Sequence, residues 1–382
     1  MRVAYDVVIV GAGLSGLLLA GRLVDRSSVE RRILVIDDGR HDIRARAWAY
    51  WSREPQLPFC ATTAVWDAIA VHASGASTVL PIHPYRYVSL SGDQLHDALH
   101  ERATARPHLE FRTGSATSVH EWADHAVITV DGAAVTARWA FDSRPVLPDA
   151  SGPQLDFLGW EIDTAADAFD PTVATFMDFR GREPGTASFC YLLPTTARHA
   201  LVEIAAFRWG ADRVDLTHAL TGYVKQACGI PAWSVTRTEA GSLPLARPPC
   251  DVRSARVVSI GVRGGMLKAS TGFAVERIQR HSAAVVESLD RYGHPHAITP
   301  PSRRHAWLDD VFLEVLRRDP DIVEEVMARL FSRNDATAVL RFLDEDSTAP
   351  QEARLIATLP VPPFLSAAIR RPRGSLDRPE AH

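Results

Sequence analysis

Tyr5-Asp6-Val7-Val8-Ile9-Val10-Gly11-Ala12-Gly13-Leu14-Ser15-Gly16 is the stretch that decides the fold. Tyr5 to Val10 is a short β-branched run, the pattern of a buried strand. Three glycines follow in GxGxxG spacing, and Leu17 to Val24 continue with apolar residues at helical intervals. Strand, glycine turn and helix in this order form a dinucleotide fingerprint. Gly11 permits the tight turn, Gly13 lets a pyrophosphate approach the backbone, and Gly16 lets helix pack on strand. The pyrophosphate would rest on amides at the helix N-terminus, so Gly11, Gly13, Leu14 and Gly16 are cofactor-binding candidates. A second strand, Ile33 to Ile36, ends at Asp37, about 20 residues past the last glycine, where an acid for a ribose hydroxyl is expected. Asp38, next to it, can serve instead.

A second glycine-rich strand-to-helix junction lies far downstream. Arg256 to Gly261 reads as a strand, Val262 to Phe273 as a loop holding Gly264, Gly265, Thr271 and Gly272, and a long helix follows through Val275, Ile278 and Val285 to Leu289. One fingerprint cannot cover a two-part cofactor such as FAD, and this junction suits its ribityl chain and ring. Gly261, Gly264, Gly265, Thr271 and Gly272 are therefore candidates too. A plain loop before a helix is the alternative.

Composition narrows the rest. The chain has 382 residues, 46% apolar and 23% charged, with a net charge of −4. These are values of an ordinary soluble globular protein, and no basic block suggests nucleic acid. Cys60, Cys190, Cys228 and Cys250 are too far apart for a CxxC metal or redox motif and give no disulfide framework, so no metal is expected and a reducing cytoplasm is. No stretch reaches the roughly 18 to 20 uninterrupted apolar residues of a membrane-spanning helix. Between the two glycine motifs, from about Ser151 to Pro244, runs of strand pattern predict a second, mostly antiparallel sheet.

In that sheet Tyr191 to Pro194, a turn, and Ala200 to Phe207 read as paired strands, and the second carries one acid, Glu203, among apolar residues. If buried, this carboxyl is favoured in its protonated form. A neutral carboxylic acid in an apolar cavity is what protonating an unactivated alkene needs. An exposed strand face that Glu203 merely solvates is the alternative. Trp48, Tyr50 and Trp51 crowd within four residues and read either as core or as an aromatic wall beside cofactor and substrate. Asp142-Ser143-Arg144 sits at a strand's carboxyl end, where α/β sheets bind ligands, or is a surface turn.

Taken together, the motifs resemble the flavoprotein lycopene cyclase family of carotenoid biosynthesis, of the bacterial lycopene beta-cyclase type. The resemblance runs through the GAGLSG fingerprint, Trp48-Ala49-Tyr50-Trp51, Tyr85-Arg86-Tyr87, Phe141 to Pro145, Phe157 to Trp160, Met177 to Arg180, Phe189 to Pro194 with Leu201-Val202-Glu203, Glu239-Ala240-Gly241, Lys268 to Phe273, and Leu359-Pro360 with Pro363-Phe364-Leu365. It implies an acid-base cyclisation without net redox change, in which reduced FAD returns unchanged and NADPH is the reductant. The family's catalytic acid falls on Glu203, which would protonate the end of a linear polyene. The resulting carbocation closes a six-membered ring of β-ionone type. Trp48, Tyr50, Trp51, Trp160 and Tyr191 are the substrate-pocket candidates. The chain departs from the family in two respects: a second acid, or a Thr, usually follows the glutamate, and here Ile204 does; and Trp48-Ala49-Tyr50-Trp51 stands where a Trp-x-Phe form is commoner. A cyclase acting on another isoprenoid chain, and a flavin monooxygenase or prenyl reductase on the same scaffold, therefore stay open. Gly261-Val262, where hydroxylases carry Gly-Asp, favours the cyclase.

The expected fold is α/β: an FAD-binding, Rossmann-like domain of the glutathione-reductase type, with an inserted substrate-binding sheet and a helical C-terminal region. Its expected parts are residues 1–150 (first FAD part, with some pocket segments), 151–250 (substrate sheet), 251–295 (second FAD part), 296–370 (helical lid region) and 371–382 (a disordered tail). The expected location is cytoplasmic, with peripheral contact to the inner face of a membrane left open because carotenoids reside there.

Overall fold

The computed structural model describes residues 3–25, 27–54, 57, 62–145, 152–210, 213–246 and 255–371. The expected tail, 371–382, lies outside these from residue 372 onward. Among the described residues the chain builds three sheets.

The first sheet holds β1 (Tyr5–Val10), β2 (Ile33–Asp37), β8 (Leu109–Thr113), β9 (Ala116–Glu121), β10 (Ala126–Val130), β11 (Ala133–Asp142) and β17 (Val257–Ser259). Its order is β8-β2-β1-β11-β10-β9, with β17 also on β11. The pairs β1–β2, β1–β11, β2–β8 and β11–β17 are parallel. Val7 to Val10 of β1 are all buried, so both faces need cover, as parallel strands do. On one face Val7 and Ile9 pack with α1 (Leu14–Asp25) and α4 (Val275–Tyr292). On the other Val8 and Val10 pack with Ile128, Val130 and Val135 of the β9–β10–β11 meander. The helix α2 (Gly92–Ala105) starts where Ser91 caps it, its side chain accepting the N–H of Asp93.

The second sheet runs β16-β12-β15-β14-β13-β5-β6. Its strands are β5 (Ala68–Ala73), β6 (Ala76–Pro81), β12 (Pro153–Asp163), β13 (Val173–Asp178), β14 (Ala187–Pro194), β15 (His199–Trp209) and β16 (Ser234–Pro244). It is antiparallel apart from the β5–β13 pair. Alternation divides it into two faces. Leu158, Ile162, Cys190, Val202 and Ile204 face α3 (Leu216–Gly222) and the π-helical turn Tyr223–Ala227. Leu155, Phe189, Tyr191, Leu193 and Ala205 face the other way. That second face is covered by α5 (Arg303–Arg318), α6 (Ile322–Arg333), α7 (Ala336–Leu343), α8 (Ala349–Ile356) and α9 (Val361–Arg370), and by a small sheet of β3 (Ala47–Ser52), β4 (Ala64–Trp66) and β7 (Arg86–Ser91).

The second sheet is thus not confined to the middle of the chain. Its β5 and β6 come from residues 68–81, a stretch with no strong strand pattern that pairs with β13 a hundred residues later. Among the described residues no helix is long and apolar enough to cross a membrane.

Candidate active site

Glu203 lies midway along β15. Directly opposite it stand Gly159 of β12 on one side and Tyr191 of β14 on the other. Gly159 in turn faces Glu239 of β16. Residues directly opposite in a sheet share a face, so Glu239, Gly159, Glu203 and Tyr191 form one row across four strands. The bare glycine is what lets the two acids approach. A Cβ added at Gly159 would lie 3.1 Å from Glu203 Oε2 and 3.1 Å from Glu239 Cγ.

The chemistry of this row follows from what surrounds it. Glu203 keeps some accessible surface, yet protein is packed densely enough around it to push its carboxyl up to about 8. Burial is the main cause and the charge of Glu239 the second, opposed by Arg46. No donor among the described residues hydrogen-bonds Glu203. Glu239 is 7% exposed, and its carboxyl is also raised, again mainly by burial. It differs in having partners. The Ala47 N–H donates to Glu239 Oε2 at 3.2 Å, and Arg237 and Arg46 pull its carboxyl downward. Arg46 is itself fixed, donating to the Ala240 carbonyl at 2.8 Å.

An aromatic cluster stands on the same face. Tyr191, Trp51, Phe176, Phe273 and Tyr87 touch in a chain of edge and stacked contacts, with Trp51 4.7 Å from Phe273, Tyr87 5.5 Å from Phe176 and Phe176 6.4 Å from Tyr191 between ring centres. Burial and the Glu203 charge both raise the phenols of Tyr87 and Tyr191. Of the expected pocket residues, Tyr191 and Trp51 are therefore brought to the acid. Trp48 and Tyr50 alternate with Trp51 along β3 and pack instead with the core of the first sheet. Trp160 is a correction: it follows Gly159 in β12, so it points to the opposite face, against the α3 side. Ile204 points there as well, for the same reason. An acid directly after Glu203 would turn away from it, whereas Glu239, from another strand, does not. Glu239, Phe176, Phe273 and Tyr87 were not singled out from sequence as site residues; strand register brings in Glu239, and ring packing between distant elements brings in the other three.

The glycine motifs meet at the other end. Gly11 has φ +100, and a Cβ there would lie 2.3 Å from Ser143 Oγ, which donates to the Val10 carbonyl. A Cβ on Gly16 would lie 2.0 Å from the Gly11 carbonyl oxygen. Gly13 is different: nothing stands within 4 Å of its Cβ position, so the turn opens on free space that a bound group can enter. Leu14 opens α1 and is buried. Asp37 ends β2 and braces the turn, its Oδ2 accepting the Ala12 N–H at 2.7 Å, while Asp38 turns to the Arg40 N–H. Asp142 is buried and pairs with Arg144 and Arg263.

Residues 261–273 connect the two ends. Gly261 lies against Ser15 in the first turn of α1, and Gly264 and Gly265 turn the chain with N–H bonds to Ile260 and Val262. Thr271 is buried, Gly272 abuts Leu155 of the second sheet, and Phe273 joins the aromatic cluster. The loop is held from below by Lys268, whose buried Nζ meets Asp309 at 2.7 Å and Glu345 at 3.2 Å. The open glycine turn at Gly13 has room for the nucleotide end of an elongated two-part cofactor.

A parallel sheet with a glycine turn, a long inserted antiparallel sheet and a helical C-terminal cover define the fold of FAD-dependent monooxygenases and reductases. The chain superposes on a geranylgeranyl bacteriochlorophyll reductase-like protein of Thermoplasma acidophilum with a TM-score of 0.63 at 13% identity, covering 96% of each chain. It also superposes on HpxO of Klebsiella pneumoniae, solved with FAD, with a TM-score of 0.56 at 13% identity, covering 94% of this chain and all of that one.

Within that class the chain belongs to the lycopene cyclase protein family, which matches residues 6–369. It is 25% identical over 312 residues to the chloroplastic lycopene beta cyclase of Arabidopsis thaliana, covering 75% of this chain and 60% of that one. It is 24% identical to the enzyme of Capsicum annuum, covering 76% and 61%. The chain thus spans about three-fifths of the length of these plant relatives.

Proposed function

We propose that this chain is a flavin-dependent, non-redox cyclase that turns the end of a linear carotenoid of lycopene type into a β-ionone ring, an intramolecular lyase reaction. The observation that carries this is a carboxyl pushed up to about 8 by burial, with no hydrogen-bond donor among the described residues, beside a wall of aromatic rings. Glu203 gives its proton to the terminal double bond: the O–H bond breaks, a C–H bond forms, and a tertiary carbocation results. The chain folds back, a second double bond attacks that cation, and loss of a proton completes the ring. Trp51, Tyr191 and their neighbours offer ring faces to the cation and exclude water that would trap it. Gly11, Gly13, Leu14, Gly16 and Asp37 would hold the nucleotide end of FAD, and Gly261, Gly264, Gly265, Thr271 and Gly272 its ring end. Reduced FAD, replenished by NADPH, would supply an electron-rich surface that stabilises developing positive charge.

Peripheral contact with a lipid surface belongs to the same proposal. Val361, Leu365 and Ile369 recur every fourth residue along α9 and are 61%, 58% and 71% exposed. Arg370 follows them, exposed, and would suit an anionic headgroup, while the Arg371 guanidinium lies 3.7 Å from Glu314 Oε2. Sedimentation with anionic phospholipid vesicles tests this; Leu365→Glu is expected to leave the protein in the supernatant.

The deciding experiment is an anaerobic assay of reduced, FAD-loaded protein with lycopene and with shorter prenyl chains. The expected product has the substrate's mass and a ring-shortened chromophore, with no net NADPH oxidation. One NADPH consumed per product would identify a reductase or, with oxygen, a hydroxylase instead.

A further inference from the structure

We propose that Glu239 is a positioning residue for the reaction: its ionised carboxylate, set beside Glu203 across Gly159, keeps the proton on Glu203 until the substrate takes it. The inference rests on the reading of Glu203 as proton donor. Its own basis is geometric. The two acids occupy the same row of one sheet face, and the strand between them carries no side chain there.

The asymmetry of the pair decides where the charge stays. Glu239 accepts the Ala47 N–H and lies near Arg237 and Arg46, with Glu161 the opposing charge. Glu203 faces Arg46, Glu239 and the neutral phenols of Tyr87 and Tyr191, with the buried thiol of Cys190 on the strand beyond. One negative charge is thus solvated by protein groups at Glu239, and a second at Glu203 would be neither solvated nor far from the first. The same repulsion serves the last step. When Glu203 has given up its proton, the two carboxylates face each other, and Glu203 becomes the stronger base for the proton that the ring-closed cation must lose. The O–H bond broken at the start is re-formed at the end, and no co-reactant is needed.

The test is titration of Glu203 in FAD-loaded protein by pH-difference infrared spectroscopy, its carboxylic C=O band being the one absent from Glu203→Gln. In Glu239→Gln that band is expected to disappear at least about one pH unit lower than in the wild type, a tenfold change in the ionisation ratio. The alkaline limb of the cyclisation rate should move with it. Glu239→Asp, which keeps the charge, should return most of the shift. If Glu239→Gln does not accumulate, Gly159→Ala is used, because its methyl group drives the acids apart and should lower the titration in the same direction. An unmoved band in the variant obtained overturns the proposal. A band that moves while Glu203→Gln still cyclises at the wild-type rate leaves the pair intact and removes Glu203 from the chemistry.

Discussion

Asp178 and Glu203, both in the second sheet, are treated in opposite ways by their surroundings. Asp178, the last residue of β13, is 0% exposed and fully served. The Arg180 backbone N–H and Nε donate to its Oδ1, each at 3.0 Å, and the Tyr223 hydroxyl donates to its Oδ2 at 2.9 Å. Glu203, two strands away, has no donor among the described residues. Asp178 is a structural carboxylate whose charge ties a strand end to the α3 side. Glu203 has a carboxyl that burial pushes up to about 8, and in the proposed reaction its proton is what is used. Burial does not distinguish the two; the supply of N–H and O–H groups does.

The contrast is tested first at Glu203. Glu203→Gln is expected to reduce ring formation by about 10²- to 10⁴-fold, the share of a general acid, while flavin absorbance and melting temperature stay near wild type. A variant with more than half the wild-type rate would put Glu203 in the same class as Asp178. Gly13→Val places a side chain in the open space over the first glycine turn. It is expected to release FAD on gel filtration and to abolish activity through the cofactor, with the Glu203 titration unchanged; retained flavin would show that the turn does not carry it. Asp178→Asn should do the reverse of Glu203→Gln. It should cost about 1–3 kcal/mol of stability in denaturant unfolding by weakening a satisfied buried network, with turnover of the folded fraction intact.

The last effect is spread over pH. Folding raises the Glu203 carboxyl from its ordinary value of 4.5 to about 8. Between those values the folded protein holds a proton that the unfolded chain has released, so stability falls as pH rises through this window. The slope is at most about 1.4 kcal/mol per pH unit. Below 4.5 both states are protonated and above 8 both are ionised, so the contribution is level outside the window. Comparing unfolding of wild type and Glu203→Gln at pH 5 and pH 7.5 isolates it; parallel pH profiles would show that Glu203 is not held protonated.

Much of this was legible in the sequence, because it depends on local pattern. The GAGLSG turn between a β-branched run and an apolar helix can mean little else, and the glycine-rich loop before α4 announces itself by composition. A lone acid within an apolar strand marks itself as Glu203 does. What was not legible depends on register. Glu239 stands 36 residues beyond Glu203, and no local signal joins them until β16, β12 and β15 are aligned. Trp160 looked like a pocket residue because large aromatics often are, yet its neighbour Gly159 already occupies the acid's face, and alternation sends the indole to the other. The strands β5 and β6 escaped for a related reason: β5 pairs with β13 a hundred residues away, and the exposed residues of β6, its hairpin partner, give no period to read.

Gly159 has a consequence of its own. It carries neither charge nor reactive atom, so no survey of titratable groups would choose it, yet it sets the gap across which two acids feel each other. Burial sets most of the acidity of Glu203, and the share that Glu239 adds passes across a hydrogen atom standing where a methyl group would fit poorly. That share is a matter of spacing, open to change at a third, chemically silent position while both glutamates stay as they are.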